Sequence, residues 1–409
     1  MASIAAPTAR PVALGLVLLL GLAVLLNYVD RGAIAIAAPL LKPELGLSAT
    51  QFGLAVSAFF WVYAPIQFVV GWACDRWCVY RLLAAGIALW AVSTMLMGLV
   101  GGLAALIVLR LMLGLGESIT FPGASKVIAR HVAPEQRGLA NSAVAIGIAL
   151  GPVVGTLAGG LIVASYGWRP MFVLFGALTL IWVLPWLIAA RRLPSFSAPS
   201  AEGGVPVRRL FRQGALWAMG IAHFCPTYGF YFVVTWLPLY LVQSRGLTIE
   251  RMTYLATLGF LAQAISALLL GWSSDRWTRS GRDEALCRRW TMVAGGLVSC
   301  IGIVGLMGAR STETIAFWLV IVGAANATGG VNLYAVAQMF AGPRAAGTFI
   351  GVQNAIGNLS GFVMPVITGL IIDLTGSYDY AFIVTAAVFV VGALWWLFGV
   401  PKIRQLDLS

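Results

Sequence analysis

Charge is what this 409-residue chain has least of. Asp, Glu, Lys and Arg together make up 10% of it, beside 60% hydrophobic residues, whereas a soluble protein carries about 25% charged residues. That shortage excludes a water-soluble globular fold and points to a chain threaded repeatedly through a bilayer. Histidine occurs twice and cysteine five times. Cys74, Cys78, Cys225, Cys287 and Cys300 are scattered, and none makes a metal-ligand set with the histidines. Cys74 and Cys78, one helical turn apart, read as packing residues. No nucleophile stands beside a base and no soluble domain is appended, so neither an enzyme nor a cofactor is expected, and a non-transporting membrane sensor is a remote alternative.

What the chain has instead is long apolar runs. Stretches of about 20 residues, enough to cross a bilayer as helix, recur twelve times, near 12–38, 50–73, 81–101, 103–125, 138–165, 169–190, 214–242, 252–272, 288–308, 313–340, 346–373 and 380–400. A β-barrel would show weak ten-residue alternation instead. The expected fold is an all-α membrane protein of twelve transmembrane helices with both termini cytoplasmic. The net charge of +12 suggests a nucleic acid partner until its distribution is read. The cations cluster at Arg76/Arg81, Lys126/Arg130/Arg137, Arg191/Arg192, Arg208/Arg209/Arg212 and from Arg276 to Arg289, all in loops on one side of this topology. Lys42, Arg169, Arg245, Arg251 and Arg310 fall on the other side. That asymmetry reports orientation, with the basic loops inside; no nucleic acid partner is implied. The first apolar run is too long for a cleavable signal, so it is expected to act as an uncleaved anchor.

The longest polar interval, about 191–213, is rich in Pro, Ser and Gly and reads as a flexible linker. It divides the chain into a first six-helix half, 1–190, and a second, 214–409. An internal repeat supports the division. Gly71-Trp-Ala-Cys-Asp-Arg-Trp77 returns as Gly271-Trp-Ser-Ser-Asp-Arg-Trp277, each copy following the second span of its half and leading into a basic loop. Parallel repeats of this kind build carriers whose substrate site lies between the halves.

Two carboxylates interrupt the apolar runs. Asp30 ends Asn27-Tyr-Val-Asp in the first span and is followed by Arg31; Glu117 ends Leu113-Gly-Leu-Gly-Glu in the fourth, seven residues after Arg110. Ionisable groups at membrane depth cost several kcal/mol unless paired or watered, and by default mark a proton or substrate pathway. Arg110 and Glu117 lie on nearly one helical face, about 10.5 Å apart along the axis, too far for direct contact. Arg110 is therefore expected to reach Asp30 across helices, while Glu117 has no cation within a turn. The alternative for Asp30 and Arg110 is that they only bind helices together. Arg31 suits a carboxylate, because its planar fork donates two parallel hydrogen bonds and stays charged.

With these residues in view, the chain resembles the major facilitator superfamily, and within it the anion:cation symporter group of bacterial sugar-acid carriers and sialin-like proteins. Gly71, Asp75 and Arg76, with their repeat Gly271, Asp275 and Arg276, are similar to the superfamily's gating signature; Cys78 stands where a second glycine is usual. The resemblance implies that Gly71 lets helices approach and that the acid and base hold a cytoplasmic gate. The closer likeness rests on Asn27 to Arg31, Ser57 to Tyr63, Arg110 with Glu117 and Phe121-Pro122, and Asn354 to Gly361. It implies protonation at Asp30 and Glu117, substrate binding by Arg31, and pocket positions at Tyr63, Asn354 and Asn358. Tyr28, His223, Tyr228 and Tyr231 complete the expected pocket, with Gln67 and Gln353 weaker candidates. His223 reads more readily as a hydrogen-bonded helix residue than as a proton relay, and the aromatics as either pocket or packing.

Ile148 stands where sugar-acid carriers use a polar residue, and the seventh span is aromatic from His223 to Tyr231. Together these suggest a less hydroxylated carboxylate, aromatic or short. The expected function is proton-coupled import of an organic anion by a monomer in a bacterial inner membrane. The rival is a proton-driven exporter, favoured by the glycine-rich run from Gly147 to Gly160, which resembles a motif of drug/proton antiporters.

Overall fold

The structure, a computed structural model, describes residues 10–132, 137–191, 193 and 207–407. Every element among them is helical: α1 (Arg10–Glu44), α2 (Ala49–Arg76), α3 (Val79–Met97), α4 (Leu103–Glu117), α5 (Thr120–His131), α6 (Arg137–Tyr166), α7 (Trp168–Ala190), α8 (Val207–Phe211), α9 (Gly214–Gln243), α10 (Ile249–Arg279), α11 (Glu284–Gly308), α12 (Thr312–Thr375) and α13 (Asp379–Leu394), which ends in a π-turn at Trp395–Gly399. By length and composition, twelve stretches are able to cross a membrane. Helix is the expected outcome, since a bilayer offers no water to satisfy open backbone groups. The helices outrun the apolar runs where polar residues follow. The first reaches Glu44, the fourth span His131 and the eighth Arg279, because charged side chains at helix ends sit comfortably at an interface.

Two of the helices depart from a simple rod. The fourth span is split into α4 and α5 around Ser118 and Ile119. Pro122 explains the split: it has no N–H to offer the Ser118 carbonyl, and its ring crowds that oxygen. Glu117 is thereby left as the last residue of α4. Within α12 the chain turns at Gly342, whose φ of 63° and ψ of 178° are not helical, so one continuous run supplies two spans, Thr312–Gly342 and Thr348–Thr375.

The helices gather into two compact units, residues 1–41 with 61–200, and residues 42–60 with 201–409. In the first, α3 is the hub, packing against α4, α5 and α7. Small residues allow this. A Cβ on Gly116 would meet the Gly86 carbonyl oxygen at 2.7 Å and the Trp90 nitrogen at 2.7 Å, so α3 and α4 touch backbone to backbone. Gly176 plays the same part between α7 and the Ala91–Met95 stretch of α3. These crossings bring residue 90 beside residue 117.

In the second unit α12 packs on α9, α10 and α11, and α13 on α9 and α11. Leu216, Met219, Phe340, Phe349 and Trp396 are buried in its core. The first half of α2 belongs to this unit as well. Its opening turn is capped by Asp373 of α12, whose carboxylate accepts hydrogen bonds from the Ala49 nitrogen (2.9 Å), the Thr50 nitrogen (2.7 Å) and the Ser48 hydroxyl (2.8 Å). A carboxylate there satisfies orphan N–H groups and opposes the positive end of the helix dipole.

Candidate functional site

The first unit buries the charges. Asn27 and Arg31 lie one turn apart on α1, and the Arg31 Nη2 donates both to the Asn27 Oδ1 (3.3 Å) and to the Glu117 Oε2 (3.0 Å). The Arg31 Nε converges on the same Glu117 oxygen at 3.3 Å. The arginine is 13% exposed and the glutamate 0%. The rings of Tyr28 and Tyr63 lie 5.0 and 4.9 Å from the guanidinium carbon, and such contacts add roughly 0.5–2 kcal/mol each to holding a cation. Tyr28 is itself steadied edge-on by Phe121. The second glutamate oxygen, Oε1, is buried with no hydrogen-bond partner among the described residues. Gln67 lies half-buried on α2, one turn beyond Tyr63.

Two expectations about these charges are corrected. Glu117 does have a counter-charge, supplied by α1 rather than by its own helix, and spacing along one helix cannot reveal a partner on another. Asp30 does not pair with Arg110. Its Oδ2 accepts from the Trp90 Nε1 (2.8 Å) and the Thr179 Oγ1 (3.2 Å). Consecutive helix residues point about 100° apart, so Asp30 faces α3 and α7 while Arg31 faces α4. Arg110 is 2% exposed, with Glu117 and Arg31 as its electrostatic neighbours. Trp90 and Thr179 escaped sequence reading because a tryptophan and a threonine inside apolar spans look like packing. The one signal available was Gly86, a turn before Trp90, marking that face of α3 as a close crossing.

The second unit holds a neutral network. The Tyr231 hydroxyl donates to the Asn358 Oδ1 (2.8 Å), the Asn358 Nδ2 donates to the Asn354 carbonyl (2.8 Å), and the Tyr334 hydroxyl donates to the Asn354 Oδ1 (3.1 Å). Tyr334 meets the His223 ring edge-on, and the Gln353 Nε2 lies 3.4 Å from the His223 Nδ1. His223 is buried at 5% exposure in a slot left by Gly357. Tyr231 meets Phe60, from the first half of α2, edge-on. Tyr228 lies apart, buried against Phe224. Tyr334 was missed in the sequence because nothing near it repeats or carries charge.

In the duplicated motif, Arg76 sits over the Trp72 ring at 4.4 Å and Arg276 over Trp272 at 5.7 Å, the same i, i+4 stacking in both copies. A Cβ on Gly71 or Gly271 would meet nothing within 4 Å among the described residues, so neither glycine marks a close helix approach here. Asp275 is exposed, and the Asp75 side chain lies outside the described residues.

A buried arginine–carboxylate pair in one helical unit and a neutral polar network in another suit solute passage better than chemistry. The family comparison decides the class: the model described as Major Facilitator Superfamily matches residues 20–282 and 251–407. The chain belongs to the major facilitator superfamily. It is a multi-pass membrane transporter of that family and not an enzyme. Among its relatives, the probable sulfoacetate transporter of Cupriavidus necator is 31% identical, with 91% of this chain and 90% of that one covered. The hexuronate transporter of Bacillus subtilis is 29% identical, with 93% of each covered. A crystal structure of a bacterial homolog to the human lysosomal transporter Spinster, 18% identical, superposes with a TM-score of 0.82 over 96% of this chain and 98% of that one. That likeness shows the facilitator fold.

Proposed function

We propose that this facilitator is a symporter that carries a small organic anion, with protons, into a bacterial cell across the inner membrane, acting as a monomer. The observation that carries the reading is the 3.0 Å ion pair between Arg31 and the fully buried Glu117. Removing one partner from a buried ion pair leaves the other charge uncompensated, at about 3–5 kcal/mol. An incoming carboxylate therefore cannot draw Arg31 away from an ionised Glu117 without large penalty. If Glu117 takes a proton first, Arg31 is released to the substrate and the charge of the site is unchanged. Each anion then brings at least one proton, and Asp30 carries a second. Two protons with a monoanion would move net positive charge inward and draw on the membrane potential.

The substrate class follows from the same groups. A guanidinium fork fits carboxylate or sulfonate oxygens, and relatives are named as transporters of sulfoacetate and hexuronate. Ile148 and the aromatic face of α9 favour the shorter, less hydroxylated acids among these. The glycine run that favoured export has another use here. Gly147 and Gly151 seat α6 against Gly21, Leu25 and Tyr28 of α1, a contact that a symporter needs equally.

Purified protein in liposomes, acidic outside and alkaline inside, should concentrate radiolabelled short carboxylates or sulfonates several-fold. Collapsing the gradient with a protonophore should return the internal level to the external one. Accumulation that ignores an imposed pH difference would overturn the reading, and accumulation driven only by the reverse gradient would favour the exporter.

A further inference from the structure

We infer that Trp90 and Thr179 are positioning residues for Asp30: two neutral donors, from α3 and α7, that hold its carboxylate and set the proton concentration at which it loads. The inference rests on the proposal that Asp30 carries a transported proton. Asp30 is 2% exposed, Trp90 and Thr179 are 0% exposed, and both donors meet one oxygen, Oδ2, at 2.8 and 3.2 Å. The other oxygen, Oδ1, is buried without a hydrogen-bond partner among the described residues. Neither donor to Asp30 is a cation. From α1, the neighbouring Arg31 is committed to Glu117. From α4, Glu117 faces it as a like charge, with Arg110 on the same helix face; α3 and α7 present the indole and the hydroxyl.

The two donors differ in what they can do. An indole N–H only donates, so Trp90 favours the ionised carboxylate. A threonine hydroxyl donates or accepts, so Thr179 can serve the carboxylate and, by rotating, accept from the protonated acid. The Trp90 backbone lies against Gly116, next to Glu117, and its indole is fully buried. Thr179 is likewise fully buried, one turn from the Gly176 crossing on α7.

Trp90→Phe, Thr179→Val and Thr179→Ser test this in liposomes, with gradient-driven uptake measured across external pH and counterflow exchange measured alongside. Trp90→Phe should reach half-maximal uptake at about tenfold lower proton concentration, the size expected for losing one hydrogen bond to a charge. Its exchange rate should stay near wild type, with a modestly lowered melting temperature from the lost indole packing. Thr179→Val should slow gradient-driven uptake more than exchange, and Thr179→Ser should restore the wild-type profile. Trp90→Phe and Thr179→Val profiles that coincide with wild type would sink the inference, as would loss of uptake and exchange together in every variant, Thr179→Ser included. A wild-type profile that is itself flat with pH would instead sink the symport proposal beneath it.

Discussion

Glu117→Gln should abolish accumulation against a gradient while leaving substrate-for-substrate exchange within about threefold of wild type. Glutamine copies the shape of a protonated glutamate and cannot lose the proton. In wild type, Arg31 Nη2 and Nε both rest on Glu117 Oε2, so the guanidinium is occupied whenever Glu117 is charged. In the variant that competitor is permanently neutral. Substrate should therefore bind as well as or better than in wild type, with a much weaker dependence on pH, the remainder coming from Asp30. What is lost is the link between anion and proton. Uptake in pH-clamped liposomes would then level at the external concentration, whereas exchange, which needs no net proton movement, would continue. A variant that still concentrates substrate would remove Glu117 from the coupling step.

Arg31→Lys should weaken substrate binding by about 100-fold, near 2.7 kcal/mol, even though the charge is kept. The arginine does three things at once. It offers a planar fork, it bonds Asn27 and Glu117 together, and it lies against the rings of Tyr28 and Tyr63. A lysine ammonium is a compact, strongly hydrated point charge that cannot donate two parallel bonds to one carboxylate. It would still neutralise Glu117, so the protein should fold and retain its melting temperature. Binding measured by calorimetry separates this from a folding defect. An affinity within a few-fold of wild type would show that charge alone, not fork geometry, holds the anion.

Much of this molecule is legible in its amino-acid sequence, and the reasons are physical. Twelve spans follow from the demand that a backbone in lipid satisfy its own hydrogen bonds, and the repeat around Asp75 and Asp275 exposed the superfamily's plan. Asp30, Arg31 and Glu117 announced themselves because charge in an apolar run is costly. Their pairing did not. Which acid Arg31 meets depends on how α1 is rotated against α4, and that is set by small residues such as Gly147 and Gly151 where α6 meets α1, and Gly116 where α4 meets α3. The partners of Asp30 were equally hidden, since Trp90 and Thr179 look like any other packing residues until Gly86 and Gly176 are seen to draw α3 against α4 and α7. In the second unit, Tyr231, Asn354 and Asn358 join one network that no spacing along the chain shows, while Tyr228 packs away from it and Tyr334 enters unforeseen.

The central claim is that anion and proton arrive together because both are exchanged at the Arg31–Glu117 pair. Linkage makes that claim reciprocal: if protons promote anion binding, the anion must promote proton binding by the same factor. The direct measurement is the pH of a weakly buffered solution of purified protein as substrate is added. Wild type should withdraw protons and the pH should rise in proportion to occupied sites, while Glu117→Gln should withdraw far fewer. Binding of the anion with no proton uptake by the wild-type protein, or with equal uptake by both proteins, would contradict it.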